Sequence, residues 1–216
     1  MPRYHTVQQG EHLARIALQY GFPDYRVVWS DAGNASLREL RSSPDVLKPG
    51  DQVFIPESPA REERRATNAR HRFTVNVTRP TLRLALEGLL GKPLRSVRGE
   101  LRVDGRVIPV VADGHGVVQQ PLPVGAERAD LVLSDAAVAG GERKFALFIG
   151  YLDPVTEVPG QESRLNNLGY RAGTAGDPKA YDFRSAVEEF QCDYGLAVDG
   201  KCGPATQKKL VAVHGS

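Results

Sequence analysis

The sequence lacks any apolar run that could cross a bilayer, which takes about 20 consecutive residues. It also lacks the basic start, apolar stretch and small-residue cleavage site of a secretory signal peptide, because Gln8, Gln9 and Glu11 interrupt its opening stretch. We therefore expect no membrane span. We also expect a chain made in the cytoplasm without a signal peptide.

Neither sign of charge dominates the chain. Its 28 basic and 26 acidic residues leave a formal net charge of +2. Nucleic-acid-binding domains usually concentrate basic residues on one face, so we expect no nucleic acid as partner. The 41% hydrophobic and 25% charged fractions are those of an ordinary globular protein.

The residues that usually carry catalysis are scattered. Metal-dependent hydrolases hold zinc through closely spaced His, Asp or Cys, and Cys-dependent ones pair a thiol with an imidazole. This chain has neither HxH nor HExxH spacing. Its histidines are His5, His12, His71, His115 and His214. We expect no catalytic residue, no metal site and no cofactor, and so no enzyme.

The two cysteines, Cys192 and Cys202, lie near the C-terminus. A disulfide between them would close a loop of about ten residues and contribute roughly 2–3 kcal/mol. In an exported protein they could pair, whereas in the cytosol they would stay reduced. The sequence leaves both a disulfide and two free thiols open.

Residues 1–57 have the pattern of a small α+β unit. HTVQQ alternates as a strand, and EHLARIALQYG places Leu13, Ile16 and Ala17 on one helical face before Gly21. YRVVWS predicts a second helix, NASLRELRSS a further helical turn or two, and VLKPGDQVFIP a turn and a closing strand.

Several motifs of this unit resemble a LysM domain. They are Tyr-His-Thr-Val-Gln at the start, Gly-Glu at the turn, Ile-Ala-x-x-Tyr-Gly, and Leu-Lys-Pro-Gly-x-x-Val-x-Ile-Pro at the end. The sequence departs from the family between them, where DYRVVWSDAGNASLRELRSSPDV is longer than the usual second helix. The resemblance implies a βααβ fold and a glycan groove formed by the loop after the first strand and the loop before the second.

The resemblance places candidate glycan-binding residues in those two loops. They are Gly10, Glu11, His12, Leu13, Val46, Leu47 and Pro49. Trp29 is a further candidate, because an indole ring could stack on a sugar. Core packing is the alternative for Leu13, Leu47 and Trp29, and the sequence does not decide between the two roles.

Residues 58–72 form a charged connector, and the pattern from 73 to 150 is that of short strands. The runs are FTVNV, LRLALEG, RGELRV, RVIPVVAD, GVVQQPLP, ADLVLS and KFALFIG. Asp104-Gly105 between two of them predicts a hairpin. Strands at this spacing favour an antiparallel sandwich, and the region resembles immunoglobulin-like or prealbumin-like modules.

Residues 151–216 predict three short helices, with Pro204 at the start of the third. The blocks Arg-Leu-Asn-Asn-Leu-Gly, Ala-Val-Glu-Glu-Phe-Gln and Gly-Leu-Ala-Val-Asp-Gly-Lys-Cys-Gly-Pro-Ala-Thr resemble the peptidoglycan-binding three-helix domain. The resemblance implies that Tyr181 and Asp182 contact ligand, although the loop TAGDPKAYD departs from the family pattern.

The sequence thus predicts a multidomain α+β protein: a LysM βααβ unit, a central antiparallel β-sandwich and a C-terminal three-helix bundle. We expect a non-catalytic peptidoglycan binder whose partners are the glycan or the stem peptide, with two different modules that raise avidity. Two segments, VVWSDAGNASLRELRSSPDVLKPGDQVFIP and LDPVTEVPGQESRLNNLGY, are similar to proteins associated with type VI secretion. That similarity implies delivery to the periplasm or envelope by a contractile injection system.

Two alternatives stay open. In the first, the protein is a structural adaptor of the injection machine, and its LysM fold contacts spike or baseplate proteins. In the second, it is a wall-degrading enzyme that these modules anchor.

Overall fold

A computed structural model describes residues 3–41, 43–57, 64–88, 92–134 and 141–215. Across these ranges the chain forms six α-helices, one short 3-10 helix and eight β-strands, and the strands pair antiparallel. The predicted α+β class is confirmed. None of the helices in these ranges is both long and apolar enough to span a membrane.

The N-terminal unit, residues 3–57, closes on itself through its first and last strands. Its elements are β1 (Arg3–Thr6), α1 (Leu13–Gln19), α2 (Tyr25–Ser30), a 3-10 turn (Ala32–Asn34), α3 (Ala35–Leu40) and β2 (Gln52–Ile55). β1 pairs with β2, and Leu13, Ile16 and Val53 lie in the core between the pair and the helices. Gly21, at φ +85°, lets the chain leave α1 in a left-handed conformation.

Two buried polar residues tie the N-terminal unit together. The Asn34 amide donates to the carbonyls of Val28 and Phe54 and accepts from the Phe54 N–H, each at 2.8 Å. Arg41 makes a bidentate ion pair with Asp51, in which Nε and Nη2 donate to the two carboxylate oxygens at 2.8 and 2.9 Å. The two side chains are only 8% and 6% exposed. The hydrogen bond to Asp51 raises the pKa of Arg41, so its guanidinium stays charged in the interior.

The β unit, residues 81–149, has two sheets around one core. A two-stranded sheet holds β3 (Thr81–Ala85) and β6 (Val117–Pro121). A four-stranded sheet has the order β5 (Arg106–Val111), β4 (Arg98–Val103), β7 (Arg128–Leu133) and β8 (Arg143–Phe148). Leu84 and Val118 of the first sheet pack against the cluster that contains Leu101 and Leu131 of the second.

The hairpin predicted at Asp104-Gly105 forms between β4 and β5. Both residues have positive φ, +48° and +72°, as a type I′ turn requires. The strand predicted at FTVNV, in contrast, is wrong. Residues 64–80, all of which the structure describes, contain no helix or strand, and Phe73 and Val75 are 62% and 65% exposed.

The physical reason is that alternation alone does not make a strand without a partner for its backbone groups. The extended segment is instead fastened by the Thr78 N–H, which donates to the Pro23 carbonyl at 2.9 Å. The connector predicted at 58–72 therefore continues to Pro80, and residues 58–63 lie outside the described ranges.

The C-terminal unit, residues 151–215, is helical. Its elements are α4 (Val158–Asn167), α5 (Tyr181–Asp193) and α6 (Pro204–His214). Phe183, Val187 and Phe190 project from one face of α5 and pack with Leu165 of α4 and Leu210 of α6. The helical period of the apolar residues therefore sets the core, as it does in α1.

Candidate functional site

A groove of about 310 Å³ opens on the surface of the C-terminal unit. We refer to it as the C-terminal groove. Four parts of the chain line it: the start of α4, the loop before α5, the first turn of α5, and the loop before α6. The lining residues are Val158, Gln161, Pro178, Phe183, Gly200, Lys201, Cys202 and Gly203. Phe183 is almost fully buried and Lys201 is exposed, so an apolar floor meets a charged rim.

The loop before α6 is held by one buried amide, that of Gln191. Its nitrogen donates to the Asp199 carboxylate, the Lys201 carbonyl and the Thr206 hydroxyl, at 2.8 to 3.0 Å. Its oxygen accepts from the main-chain N–H groups of Asp199 and Gly200, at 2.9 and 3.0 Å. Hydrogen bonding from Gln191, and then from the Lys201 N–H, holds the pKa of Asp199 below its ordinary value.

The opposite wall is held by another buried polar residue, Arg164. Its guanidinium donates to the carbonyls of Asp153 and Gly160 at 2.7 and 2.8 Å. Burial lowers the pKa of Arg164 to about 10, which leaves it charged at neutral pH. Gln161 on the same helix donates to the Val155 carbonyl at 2.9 Å. Both walls are therefore fixed before ligand arrives, which reduces the ordering cost of binding.

Both thiols are free in the structure. The disulfide between Cys192 and Cys202 that the sequence left open is therefore not formed. Cys192 is exposed on α5, whereas Cys202 packs against the helical core and lines the groove. Burial raises the pKa of Cys202 to about 11, so its thiol stays protonated and acts as a small apolar surface rather than a nucleophile.

Tyr181 and Asp182 begin α5, directly beside the groove. They lie between Pro178 and Phe183, which both line it. Tyr181 is 84% exposed, an unusual position for an aromatic ring. Its flat apolar face and its hydroxyl suit a ligand that is partly apolar and partly polar. Asp182 is exposed in the first turn of α5, where its charge also favours the helix.

A comparison with protein-family models shows which family the C-terminal unit resembles. The family described as "Putative peptidoglycan binding domain" matches residues 150–210, which span all three helices apart from the last turn of α6 and all eight groove-lining residues. Residues 150–210 are therefore similar to a family of peptidoglycan-binding domains. No curated protein and no solved structure matches the chain.

The match supports the peptidoglycan-binding domain that the sequence predicted at the C-terminus, and it supports peptidoglycan as the partner. Two residues that the sequence did not single out shape the C-terminal groove: Lys201 lines it, and Gln191 holds the loop before α6 from beneath. A signal for Gln191 was present, because it follows Phe190 on the buried side of an amphipathic helix. A polar residue at that position indicates a hydrogen-bonding role.

The residues predicted to bind glycan in the N-terminal unit occupy a different environment. Gly10, His12, Leu13, Val46 and Leu47 are buried, Glu11 and Trp29 are partly buried, and Pro49 is exposed. Leu13 and Leu47 belong to the hydrophobic core, and Trp29 packs against it. For Leu13, Leu47 and Trp29 the structure therefore shows core packing, which was the alternative to sugar contact.

Glu11 is engaged within its own loop. Its carboxylate accepts from the Gln8 N–H and bonds His5 Nε2, both at 2.8 Å. Burial acts to raise the pKa of Glu11, but the hydrogen bonds from His5 and Gln8 outweigh it and hold that pKa below the ordinary value. Glu11 therefore remains an anion that shapes the turn at Gly10.

The two loops of the N-terminal unit face the other units of the chain. A Cβ on Gly10 would lie 3.1 Å from the Tyr151 ring, and one on Gly150 would lie 2.6 Å from the Gly10 carbonyl oxygen. Arg15 pairs with Glu127 at 2.6 Å, and Lys48 with Glu157 at 2.9 Å. We name this contact region the joint. In this conformation, the joint covers Gly10 and His12, which are part of the surface that the LysM resemblance assigns to glycan, whereas Pro49 stays exposed.

Proposed function

We propose that the protein binds peptidoglycan through the C-terminal groove and does not cleave it. The observation that carries the proposal is the position of the groove: all its lining residues lie inside the matched residues 150–210, and the exposed residue Tyr181 lies two residues before Phe183 of the lining. Such a site offers contact to a polymer that lies across the surface rather than a deep cleft that encloses a scissile bond.

The chemistry of the groove favours the stem peptide over the glycan as its main ligand. Lys201 places an ammonium group at the rim, where it would pair with a carboxylate of a stem peptide. Val158 and Phe183 provide an apolar floor for small side chains such as those of alanine. Tyr181 would cover the bound segment from the side.

Tyr181→Ala should weaken binding to purified sacculi. Loss of an exposed aromatic platform costs about 1 kcal/mol, roughly fivefold in Kd. Tyr181→Phe is the matched control, because it keeps the ring and should bind like the wild type. Equal sedimentation of the alanine variant and the wild type would show that the ring does not contact the wall.

Lys201→Glu should weaken binding by about tenfold, since it replaces a charge-assisted hydrogen bond with repulsion of the carboxylate. Lys208→Glu, an exposed position on α6 outside the groove lining, changes the net charge equally and should bind normally. The effect of Lys201→Glu should vanish on glycan strands stripped of their stem peptides. An equal effect on stripped strands would contradict stem-peptide recognition.

Binding without catalysis is part of the proposal. It rests on the scatter of the five histidines along the chain and on the protonated thiol of Cys202. Incubation with sacculi over a range of pH and divalent metals should release no soluble muropeptides. Release above a buffer control would favour the wall-degrading alternative.

We further propose a LysM assignment for the N-terminal unit, an immunoglobulin-like or prealbumin-like one for the β unit, and a three-helix bundle for the C-terminal unit. In one version the N-terminal unit is a second wall-binding module that adds avidity. Burial of Gly10 and His12 at the joint favours the other version, in which the LysM-like loops make protein contacts.

The proposed setting is a type VI or related contractile injection system, which would carry the protein to the periplasm or envelope. The support is the sequence similarity of residues 27–56 and 152–170 to proteins associated with such systems. A pulldown from the native cells should recover spike or baseplate proteins. Recovery of none of them, under conditions that preserve the machine, would contradict this setting.

A further inference from the structure

His12 is the most unusual polar residue of the joint. The residue is 3% exposed, and neither Nδ1 nor Nε2 has a partner in good hydrogen-bonding geometry in the part of the chain that the structure describes, although the main chain of Val124 lies against the ring. A buried polar group without a partner is costly and rare in native proteins. His12 lies immediately before α1, against the loop that contains Val124, so its side chain is buried between the N-terminal unit and the β unit.

We propose that His12 makes the joint acid-sensitive: protonation of its buried imidazole releases the N-terminal unit from the β unit and from Tyr151. A neutral imidazole is tolerated in the closed joint, whereas an imidazolium there would be a buried cation without a hydrogen-bonded anion. Opening the joint would return that cation to water.

The groups around His12 shift its pKa in both directions. Burial lowers the pKa of His12, and the positive charge of Arg15 on α1 adds to this. Three groups act to raise the pKa of His12: Asp45 in the loop before β2, the main chain of Val124, and the carboxylate of Glu11. The pKa of His12 is lowered on balance, because burial is the largest of these effects.

The ion pairs that cross the joint contribute little to the stability of its closed form. Arg15 and Glu127, and likewise Lys48 and Glu157, are each about one third to one half exposed. Pairs with such exposure contribute little. The joint therefore depends on close packing, in which Gly10 and Gly150 allow main chain to approach main chain.

The sign of the pH dependence follows from the lowered pKa of His12. The closed joint binds fewer protons than the open one, so its stability is fully present above the pKa of a free histidine, about 6.5. As pH falls below that value the open fraction should rise by up to about tenfold per pH unit, until the pKa of the closed state is passed.

The experiment is hydrogen exchange of the full chain at pH 7.5 and pH 5.5, corrected for the intrinsic pH dependence of exchange. Segments 10–16 and 122–129 report on the joint, and segment 183–191 in the core of α5 reports on global stability. We expect about tenfold faster corrected exchange at pH 5.5 in the two joint segments and no change in 183–191. Unchanged exchange in the joint segments would overturn the proposal.

Four variants, one of them a control at His115, make the assignment specific to His12. His12→Leu, which cannot be protonated, should abolish the acid response, whereas the control His115→Gln, at an exposed histidine of the β5–β6 turn, should retain it. Gly150→Ala should speed exchange at both pH values, because its Cβ would meet the Gly10 carbonyl. An acid response of wild-type size in a folded His12→Leu or His12→Gln protein would overturn the proposal.

A functional consequence rests on the proposed function. Opening would uncover Gly10 and His12, so a LysM-like contribution to sacculus binding would arise at acid pH. The hydrogen-exchange experiment contains no wall material, so its result separates the joint from the question of wall binding.

Discussion

Gln191→Leu should destabilise the C-terminal unit by more than about 3 kcal/mol and remove most sacculus binding. The substitution deletes five hydrogen bonds and leaves the Gly200 N–H and the Thr206 hydroxyl buried without their partner. Each buried group left unpaired costs about 1–3 kcal/mol. Urea unfolding followed by circular dichroism measures the stability, and co-sedimentation measures the binding.

The matched control is Glu189→Ala, an exposed position on the same helix. It should change the free energy of unfolding by no more than about 0.5 kcal/mol and leave binding intact. A Gln191→Leu protein that loses less than about 1 kcal/mol would contradict the role of this amide in holding the groove. Full binding by that protein would show that the loop before α6 is not part of the site.

Arg41→Met should destabilise the N-terminal unit by about 3–5 kcal/mol, since it leaves the Asp51 carboxylate buried without its cation. Asp51 would keep the Lys48 N–H, at 2.8 Å, which does not neutralise it. Trp29, the single tryptophan, packs against the core of this unit, so its fluorescence in urea reports the change.

The double variant Arg41→Met/Asp51→Leu separates two explanations. If the cost arises from an uncompensated charge, removal of both charges should restore most of the stability, because apolar replacements of buried ion pairs are often neutral or better. A double variant as unstable as Arg41→Met would instead indicate that the ion pair specifies the loop geometry. Sacculus binding through the C-terminal groove should be unaffected by both variants.

Much of the fold could be predicted from local pattern. Helical spacing placed Leu13 and Ile16 in one core, and Phe183 and Phe190 in another. The turn chemistry of Asp104-Gly105 located a hairpin correctly. These features depend on residues close in sequence, whose periodicity records which face is buried.

The features that pattern could not predict depend on contacts between distant segments. FTVNV alternates like a strand, yet whether it pairs depends on an edge elsewhere in the chain, and it lies exposed instead. The sequence places His12 in a loop that was expected to contact glycan, but the segment around Val124 packs against it and buries it. The accessible binding surface was therefore harder to predict than the scaffold.

The measurement that tests the central claim most directly is co-sedimentation of the intact chain with purified sacculi, alongside a Tyr181→Ala/Lys201→Glu double variant that retains its circular dichroism spectrum. We predict that the wild type pellets with the sacculi and that the double variant needs at least tenfold more wall material for half-maximal pelleting. A wild type that stays in the supernatant, or a double variant that pellets equally well, would contradict peptidoglycan binding at the C-terminal groove.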